Sequence, residues 1–320
     1  MEFNASVKNA LTEEIKKGII SHAYIVEGIH GVGKKHFARE MAKVILCERE
    51  NKPCGSCGSC EKVLNSSHPD LHFYSCEGSS FKVAQVREIR KSVSMPPNDG
   101  EYGVFVLDGA HNMTVAAQNA LLKVFEEPPK GTVFFILTEK REALLPTVVS
   151  RGRIISLSPV SDGEIRAFLK ERFPKKSEEE TEAAVRLACG SAGKGEEFFE
   201  KQNKTAIDSA LKLAEGIYAG AGRYKLYTTV LSYTKKREDF LRLLPFLEEA
   251  AHDVAVYKRF GKEGTILPLD KLKTYGQRVG RKASAELLDA IIATDIALKS
   301  NANLNASLTE LCGKITEILG

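Results

Sequence analysis

The sequence predicts an α/β domain with a parallel sheet, followed by two helical domains, over residues 1–160, 161–205 and 206–320. Two observations predict the first domain. Continuous runs of Val, Ile, Phe and Leu alternate with helical segments, and a glycine-rich loop joins the first such run to a helix. This alternation is typical of a doubly wound sheet that helices cover on both faces. From residue 161 onward the apolar residues recur mostly at helical spacing, which predicts helices.

Apolar patterns in the first half of the chain predict alternating helices and strands. Residues 1–18 have the spacing of an amphipathic helix, with Val7, Ala10, Leu11 and Ile15 on one stripe. The run AYIVEG that follows predicts a short buried strand, and KHFAREMAKVILC has helical periodicity. Two later runs, YGVFVLDGA and GTVFFILTE, predict further strands, and the helix between them ends at a pair of prolines.

The second half begins where a last short strand gives way to helices. ISLSPV predicts that strand, and Ser161 has the position of a helix N-cap with Glu164 as its capping-box partner. The glycine-rich segments ACGSAGKGEE and EGIYAGAGR are typical of breaks between helices. We therefore expect a small helical domain and then a larger helical bundle.

A phosphate-binding loop is predicted between the first strand and its helix, in GIHGVGKK. Gly28, Gly31 and Gly33 allow backbone N–H groups to surround a phosphate, and Lys34 supplies the neutralising charge. Such loops continue with a serine or threonine whose hydroxyl holds Mg²⁺, whereas this chain has Lys35. The loop is therefore expected to bind phosphate or ATP weakly or not at all.

Two polar residues end strands that neighbour the loop in the predicted sheet. Asp108 ends the second apolar run and has the position of an acid that holds the metal, and Thr138 ends the third. Gly109 follows Asp108, so the glutamate that would orient a water for hydrolysis is missing. Two independent parts of a hydrolytic site are therefore absent.

A zinc module is predicted over residues 47–60, where Cys47, Cys54, Cys57 and Cys60 lie close together. Thiolates two residues apart on a glycine-containing turn can reach one ion, and four sulfurs suit tetrahedral Zn²⁺. Four protein ligands leave no open position, which favours a structural role. An iron–sulfur cluster and free buried thiols are the alternative interpretations. The remaining cysteines, Cys76, Cys189 and Cys312, are interpreted as inert core thiols.

Arg151 lies in TVVSRGR, between the third strand and the last one. It is either an ordinary surface charge or a residue that projects across a subunit boundary to stabilise charge on a phosphoryl group. Periodicity does not decide between these interpretations.

Composition sets wide limits on function. The net charge of +4 is mild, so binding of nucleic acid along the whole chain is not dictated. The N-terminus lacks a basic segment followed by an apolar run, and no long apolar stretch predicts a membrane span. We expect a cytoplasmic protein without a membrane partner.

Together these residues resemble the clamp-loader branch of the AAA+ ATPases, as found in bacterial DNA polymerase III. The resemblance rests on SHAYIVEGIHGVGKKHFA, the cysteine segment with SSHPDLHFY, QVREIR, VFVLDGAHNMTVAAQNALLKVFEEPP, FFILT and TVVSRGR, which span residues 21 to about 160. SNANLNASLTELCGKI near the C-terminus is similar to the last helix of the same proteins.

The resemblance implies an AAA+ P-loop domain carrying the zinc module, a helical lid over 161–205, and a helical collar over 206–320 that joins a ring of five subunits. Those loaders open a ring-shaped sliding clamp and close it around primed DNA, using ATP at subunit interfaces. The implied partners are gamma/tau-type ATPase subunits and a delta subunit in a heteropentamer, with clamp and DNA reached through the complex. The chain would then be part of a DNA-directed DNA polymerase holoenzyme.

Departures from the ATPase subunits imply a non-hydrolysing member. Such ATPases have a hydroxyl after the loop lysine, an Asp-Glu-x-His box and a nucleotide-sensing arginine in the lid, where this chain has Lys35, DGAH and Gly193. The non-hydrolysing members supply the arginine of a Ser-Arg-Cys motif to a neighbouring site. The motif matches here at Ser150 and Arg151, with Gly152 in place of the cysteine.

Two alternatives remain open at this point. One is a gamma/tau-type ATPase that hydrolyses ATP without companions. The other is a zinc-dependent nucleic-acid-binding module, suggested by the cysteine segment and by the basic runs TKKRED and GQRVGRK. These runs lack interleaved aromatic residues, which is typical of solvated helix faces.

Overall fold

The computed structural model describes residues 3–76, 81, 83–233, 236–261, 264 and 266–320. These residues form two compact units. The first contains residues up to 168 together with 190–193, and the second contains 169–189 and 194–320. The first two residues of the basic run TKKRED lie outside the described residues. The predicted division of the helical half into a lid and a collar stays a prediction.

The first unit alternates strands and helices, as the apolar runs predict. Its elements, the last of which continues into the second unit, are α1 (Ala5–Lys16), β1 (Ala23–Glu27), α2 (Lys34–Leu46), α3 (Gly58–Leu64), β2 (Leu71–Ser75), α4 (Val83–Val93), β3 (Gly103–Asp108), α5 (Val115–Glu126), β4 (Thr132–Thr138), α6 (Pro146–Val149), β5 (Arg153–Ser156) and α7 (Asp162–Arg172).

Within the described residues the strands form one five-stranded parallel sheet in the order β2-β3-β4-β1-β5. Alternate side chains of the central strands pack on opposite faces. Ile25 and Ile136 pack on one face in a core with residues of α4 and α5. On the other face the rings of Tyr24 and Phe135 stack with centroids 5.1 Å apart, and α2 contacts β3 and β4. The predicted parallel sheet with helices on both faces is confirmed.

The strand order places three predicted site segments at one edge of the sheet. Because the strands are parallel, the residues that follow β1, β3 and β4 lie at their shared carboxyl edge. Gly28 begins the loop after β1, and its backbone N–H donates to the carbonyl of Thr138 at the end of β4, 3.2 Å away. Asp108 ends β3, which pairs with β4.

Several sequence expectations need correction. The apolar pattern did not predict β2. This edge strand consists of half-exposed residues and includes His72 and Tyr74. The last strand is Arg153–Ser156, slightly earlier than ISLSPV predicted. Cys189 is exposed and is not a core thiol. The capping box at the start of α7 is confirmed, because Ser161 N–H donates to Glu164 Oε2 at 3.1 Å and Glu164 N–H donates to Ser161 Oγ at 3.4 Å.

In its described residues the second unit contains helices joined by short connecting segments, and no strand. Its elements after α7 are α8 (Glu178–Ala188), α9 (Ala192–Phe198), α10 (Lys201–Tyr218), α11 (Arg223–Tyr233), α12 (Arg237–Phe260), α13 (Leu269–Arg278), α14 (Arg281–Lys299) and α15 (Leu304–Leu319). The long helix α12 packs against α10 and α14 and buries Phe240, Leu244 and Leu247 in the core of the unit. No helix in the described part of the chain is long and apolar enough to cross a membrane.

Candidate functional site

The loop between β1 and α2 has the backbone geometry of a phosphate cradle. Gly31 and Gly33 have φ of 70° and 101°, a left-handed conformation that favours glycine. Gly28 packs so closely that a Cβ there would lie 2.8 Å from the Val32 side chain. The glycines that predicted the loop are therefore required by its shape.

Lys34 is folded into this loop. Its side chain is buried, and Nζ donates to the carbonyl oxygens of Gly28 at 2.7 Å and Ile29 at 3.0 Å. Glu139 Oε1, just beyond β4, lies 4.0 Å from the same nitrogen. Burial lowers the pKa of Lys34, while the carboxylates of Glu139 and Asp108 act in the opposite direction. The Lys34 ammonium therefore stabilises the loop by donating to the backbone carbonyls of the loop itself.

Lys35, which replaces the hydroxyl residue, forms an ion pair with the predicted metal-side acid. Its Nζ lies 2.9 Å from Asp108 Oδ2. Asp108 is the carboxylate that a Mg²⁺-dependent site would need, so the side chain that removes one metal ligand also engages a second. This contact joins Lys35, which departs from the usual loop sequence, to an acid that the sequence retains.

Gly193 lies directly against the loop within the first unit. Its backbone N–H donates to the carbonyl of Gly31 at 2.9 Å, and a Cβ at position 193 would lie 2.8 Å from Gly31 Cα. Because the neighbour is backbone, a larger residue would force the loop or its own segment to move. Glycine at position 193 therefore permits this close approach to the loop.

Thr138 is present at the predicted edge but uses its hydroxyl locally. Thr138 Oγ1 donates to the Lys140 carbonyl at 2.9 Å and accepts from the Lys140 N–H at 3.2 Å. The neighbouring Glu139 N–H donates to His111 Nδ1 at 3.3 Å. The structure therefore brings the loop, Asp108 and Thr138 together. It adds Glu139, which the sequence interpretation missed, although the residue directly follows the strand that ends at Thr138.

The four predicted zinc ligands converge on one point. Their sulfur atoms all lie within 4.8 Å of one another, with Cys47 Sγ 3.9 Å from Cys57 Sγ and Cys54 Sγ 4.0 Å from Cys60 Sγ. Tetrahedral Zn²⁺ with Zn–S bonds of about 2.3 Å requires sulfurs about 3.8 Å apart. The donor set fits zinc, and these separations are too long for disulfides.

Backbone groups prepare this cluster for thiolates. Cys57 caps α3, accepting from Cys60 N–H at 3.4 Å, and Cys47 accepts from Cys54 N–H at 3.5 Å. Hydrogen bonds, the strongest from the backbone at Ser56, lower the pKa of Cys54 to about 6, whereas burial raises the pKa of Cys60. Such N–H···S contacts favour the charged form that binds a metal.

His68, the histidine nearest the cluster in sequence, supports it without joining it. Asp70 N–H donates to His68 Nδ1 at 3.1 Å, which leaves the ring proton on Nε2 to donate to Ser59 Oγ at 2.8 Å. Ser59 in turn donates to the Leu46 carbonyl at 2.6 Å, beside Cys47. Both ring nitrogens are thus used in fixing the segment.

Arg151 lies near the amino ends of the parallel strands, whereas the loop lies at their carboxyl ends. It precedes β5, which runs parallel to β1 with Arg153 paired to Tyr24, whereas the loop follows the carboxyl end of β1. The guanidinium donates from Nη1 to the Thr147 carbonyl at 2.7 Å and from Nη2 to Glu126 Oε1 at 2.8 Å. The side chain is 33% exposed, so it remains accessible to another molecule.

Comparisons with known proteins find relatives among the subunits of DNA polymerase III. Residues 3–161 match the family model described as DNA polymerase III, delta subunit. The chain is 34% identical over 172 residues to DNA polymerase III subunit delta' of Bacillus subtilis, covering 53% of this chain and 52% of that protein. It is 29% identical over 275 residues to DNA polymerase III subunit gamma of Buchnera aphidicola, covering 84% of this chain and 70% of that protein.

A solved structure shows the same fold along nearly the whole chain. A DNA polymerase III gamma subunit-related protein from Thermotoga maritima superposes with a TM-score of 0.56 and 16% identity, covering 98% of this chain and 99% of that one. The sequence matches to delta' proteins span about half the length of those relatives. Over residues 3–161 the chain therefore belongs to the DNA polymerase III delta subunit family, and its sequence relatives include delta', gamma and tau subunits.

Proposed function

We propose that this chain is a non-hydrolysing delta' subunit of a DNA polymerase III clamp loader, which donates Arg151 in trans to the ATP site of a neighbouring subunit. In this role it helps to load a sliding clamp onto primed DNA as part of a complex with gamma/tau-type ATPase subunits and a delta subunit. The ion pair between Lys35 and Asp108, 2.9 Å long, is the observation that carries the non-hydrolysing assignment.

The ion pair acts against metal-dependent hydrolysis in two ways. Lysine has no oxygen with which to bind Mg²⁺, and its ammonium neutralises the carboxylate that would otherwise attract the ion. No glutamate follows Asp108 to orient a water, because the next residue is Gly109. The loop therefore serves as a structural element with weak or no affinity for nucleotide.

The position of Arg151 supports a role between subunits. An arginine that contributes to hydrolysis in the neighbouring subunit must face outward and lie away from its own phosphate loop. Arg151 meets both conditions, since it precedes β5 at the opposite edge of the sheet and is partly exposed.

The cysteine cluster is proposed to hold one structural zinc ion through Cys47, Cys54, Cys57 and Cys60. When bound, the ion would cross-link the end of α2 to the start of α3. All four positions are filled by protein sulfur, so the site has no ligand to exchange with a substrate.

The test is a loader reconstituted with gamma/tau-type and delta subunits and carrying Arg151→Ala. We expect assembly to be unchanged, and turnover at the ATP site that Arg151 serves to fall on the order of 10³-fold or more. Arg153→Ala is the matched control, because Arg153 is also a partly exposed arginine, paired with Glu14. Undiminished DNA-stimulated ATPase and clamp loading with Arg151→Ala would contradict the proposal.

A further inference from the structure

Glu126 holds Arg151 in a fixed orientation within its own chain. Its Oε1 accepts from Arg151 Nη2 at 2.8 Å, while the Thr147 carbonyl accepts from Nη1 at 2.7 Å. We propose that Glu126 is a positioning residue, which orients the Arg151 guanidinium so that it can reach a phosphoryl group on the neighbouring subunit. This inference rests on the function proposed above for Arg151.

The two contacts leave the guanidinium able to bind a second anion. Arginine has five N–H donors in a planar fork, and the contacts to Glu126 and Thr147 each use one. The remaining donors, which include Nε–H, can donate to phosphoryl oxygens without release of the guanidinium from Glu126. A guanidinium that is already fixed also loses less conformational freedom when it binds.

The ion pair is too exposed for stability to be its main contribution. The Arg151 and Glu126 side chains are 33% and 47% exposed. Solvent-exposed pairs of this kind contribute little to stability because water and salt screen them. The geometry that the pair imposes can matter far more, since a misplacement of about 1 Å at a reacting centre costs up to about 100-fold in rate.

The elements that carry the two side chains are fixed to one another. Glu126 is the last residue of α5, and Arg151 follows α6, which contacts α5. Buried Gln118 of α5 donates to the Ala143 carbonyl at 3.0 Å and accepts from Leu145 N–H at 2.7 Å, just before α6. This buried amide bridge holds the segment leading to Arg151 against the helix that carries Glu126.

The experiment measures ATP turnover by the reconstituted loader. The turnover that depends on Arg151 is the rate of the wild-type loader minus the rate of the Arg151→Ala loader. We expect Glu126→Ala to reduce kcat of this portion by about 10- to 100-fold with KM for ATP unchanged, because the arginine acts in the transition state. Glu126→Gln should retain most of the turnover, since its amide oxygen can still accept from Nη2. Glu127→Ala, at the adjacent exposed position, is the control and should match wild type.

The double variant separates positioning from a general structural effect. If Glu126 acts only through Arg151, then Glu126→Ala combined with Arg151→Ala should have the same turnover as Arg151→Ala alone. Wild-type turnover with Glu126→Ala, or a further loss in the double variant, would overturn the inference while leaving Arg151 as the finger. Undiminished turnover with Arg151→Ala would overturn both proposals. Gel filtration of each loader establishes that all variants assemble.

Discussion

Lys35 determines the chemistry of the phosphate loop at the scale of a single residue. Its ammonium lies 2.9 Å from Asp108 Oδ2 and carries one positive charge on a flexible side chain. Mg²⁺ carries two charges and needs oxygen ligands in octahedral geometry, which lysine does not supply. A change at this one position should therefore alter metal affinity without rebuilding the loop.

We predict that Lys35→Thr creates Mg²⁺-dependent binding of ATP in the isolated chain. The substitution supplies a hydroxyl ligand and releases Asp108 from its ion pair, and the glycines and Lys34 of the loop remain. Titration calorimetry with ATP, with and without Mg²⁺, measures the effect. Hydrolysis should stay absent because Gly109 still follows Asp108.

Lys35→Ala is the matched control for this prediction. It releases Asp108 but adds no oxygen, so any gain should be much smaller than with threonine. Equal binding by the wild type and Lys35→Thr would show that the missing hydroxyl does not limit the loop.

The cysteine segment acts at the scale of an element, because it links α2 to α3. The intervening residues have little regular structure of their own, and short segments of this kind are commonly fixed by a metal. The sulfur positions fit zinc, and the hydrogen bonds of His68 and Ser59 fix the segment around them.

We predict that the purified protein binds one zinc ion per chain and that Cys60→Ala loses it. Cys60 is fully buried beside the other three cysteines, so removing it opens the coordination shell. Elemental analysis after gel filtration measures the metal, and thermal unfolding should show a lower midpoint for the variant. Cys189→Ser, which alters an exposed cysteine outside the cluster, should retain the ion. Iron in place of zinc would support the cluster alternative.

The contact between α12 and α14 gives a prediction about pH. Partial burial and the nearby Asp295 carboxylate raise the pKa of Glu248, while Lys299 and His252 oppose the shift. A raised folded-state pKa means that this group stabilises the fold fully below its unfolded pKa of about 4.3. That stability is lost as pH rises through the folded-state value.

We therefore predict that Glu248→Gln raises the urea midpoint of unfolding at pH 7 relative to wild type, because the amide carries no charge to bury. The difference should disappear below about pH 4, where the wild-type carboxyl is protonated in both states. Glu286→Gln, at an exposed position of α14, should leave the midpoint almost unchanged. The same gain at both pH values would rule out ionisation as its cause.

At the scale of the whole molecule, the chain divides into two compact units. The first contains the loop, the cysteine cluster and Arg151, and the second is a helical unit whose core extends from α10 to α15. A subunit that contributes an arginine to its neighbour is useful only within an assembly. The helical unit is the proposed source of that assembly.

We predict that the chain forms a defined complex of five subunits with gamma/tau-type and delta proteins. Light scattering after gel filtration of the mixture measures the mass, and the purified chain alone should show no ATP turnover. Rapid ATP turnover by the chain in isolation would favour the ATPase alternative. Salt-dependent DNA binding by the isolated chain would favour the nucleic-acid-binding alternative.

Sequence patterns predicted the elements whose apolar runs are long and continuous. β1, β3 and β4 are nearly fully buried, so their composition alone distinguishes them. The half-exposed edge strand β2 has polar residues among its apolar ones and lacked that signal. In α1, Leu11 and Ile15 are buried as expected, but Thr12 completes the buried face and Ala10 is exposed. Amphipathic spacing alone did not establish the helix's exact orientation against its neighbour.

The residues alone establish which chemistry each side chain can offer: glycines that admit a left-handed backbone, a lysine without a metal-binding oxygen, and four clustered thiols. These properties are local, so no fold is needed to read them. Folding then brings Lys35 against Asp108, packs Gly193 on Gly31, and pairs Glu126 with Arg151. Such pairs join residues far apart in the chain, and their distances follow from strand order and helix packing.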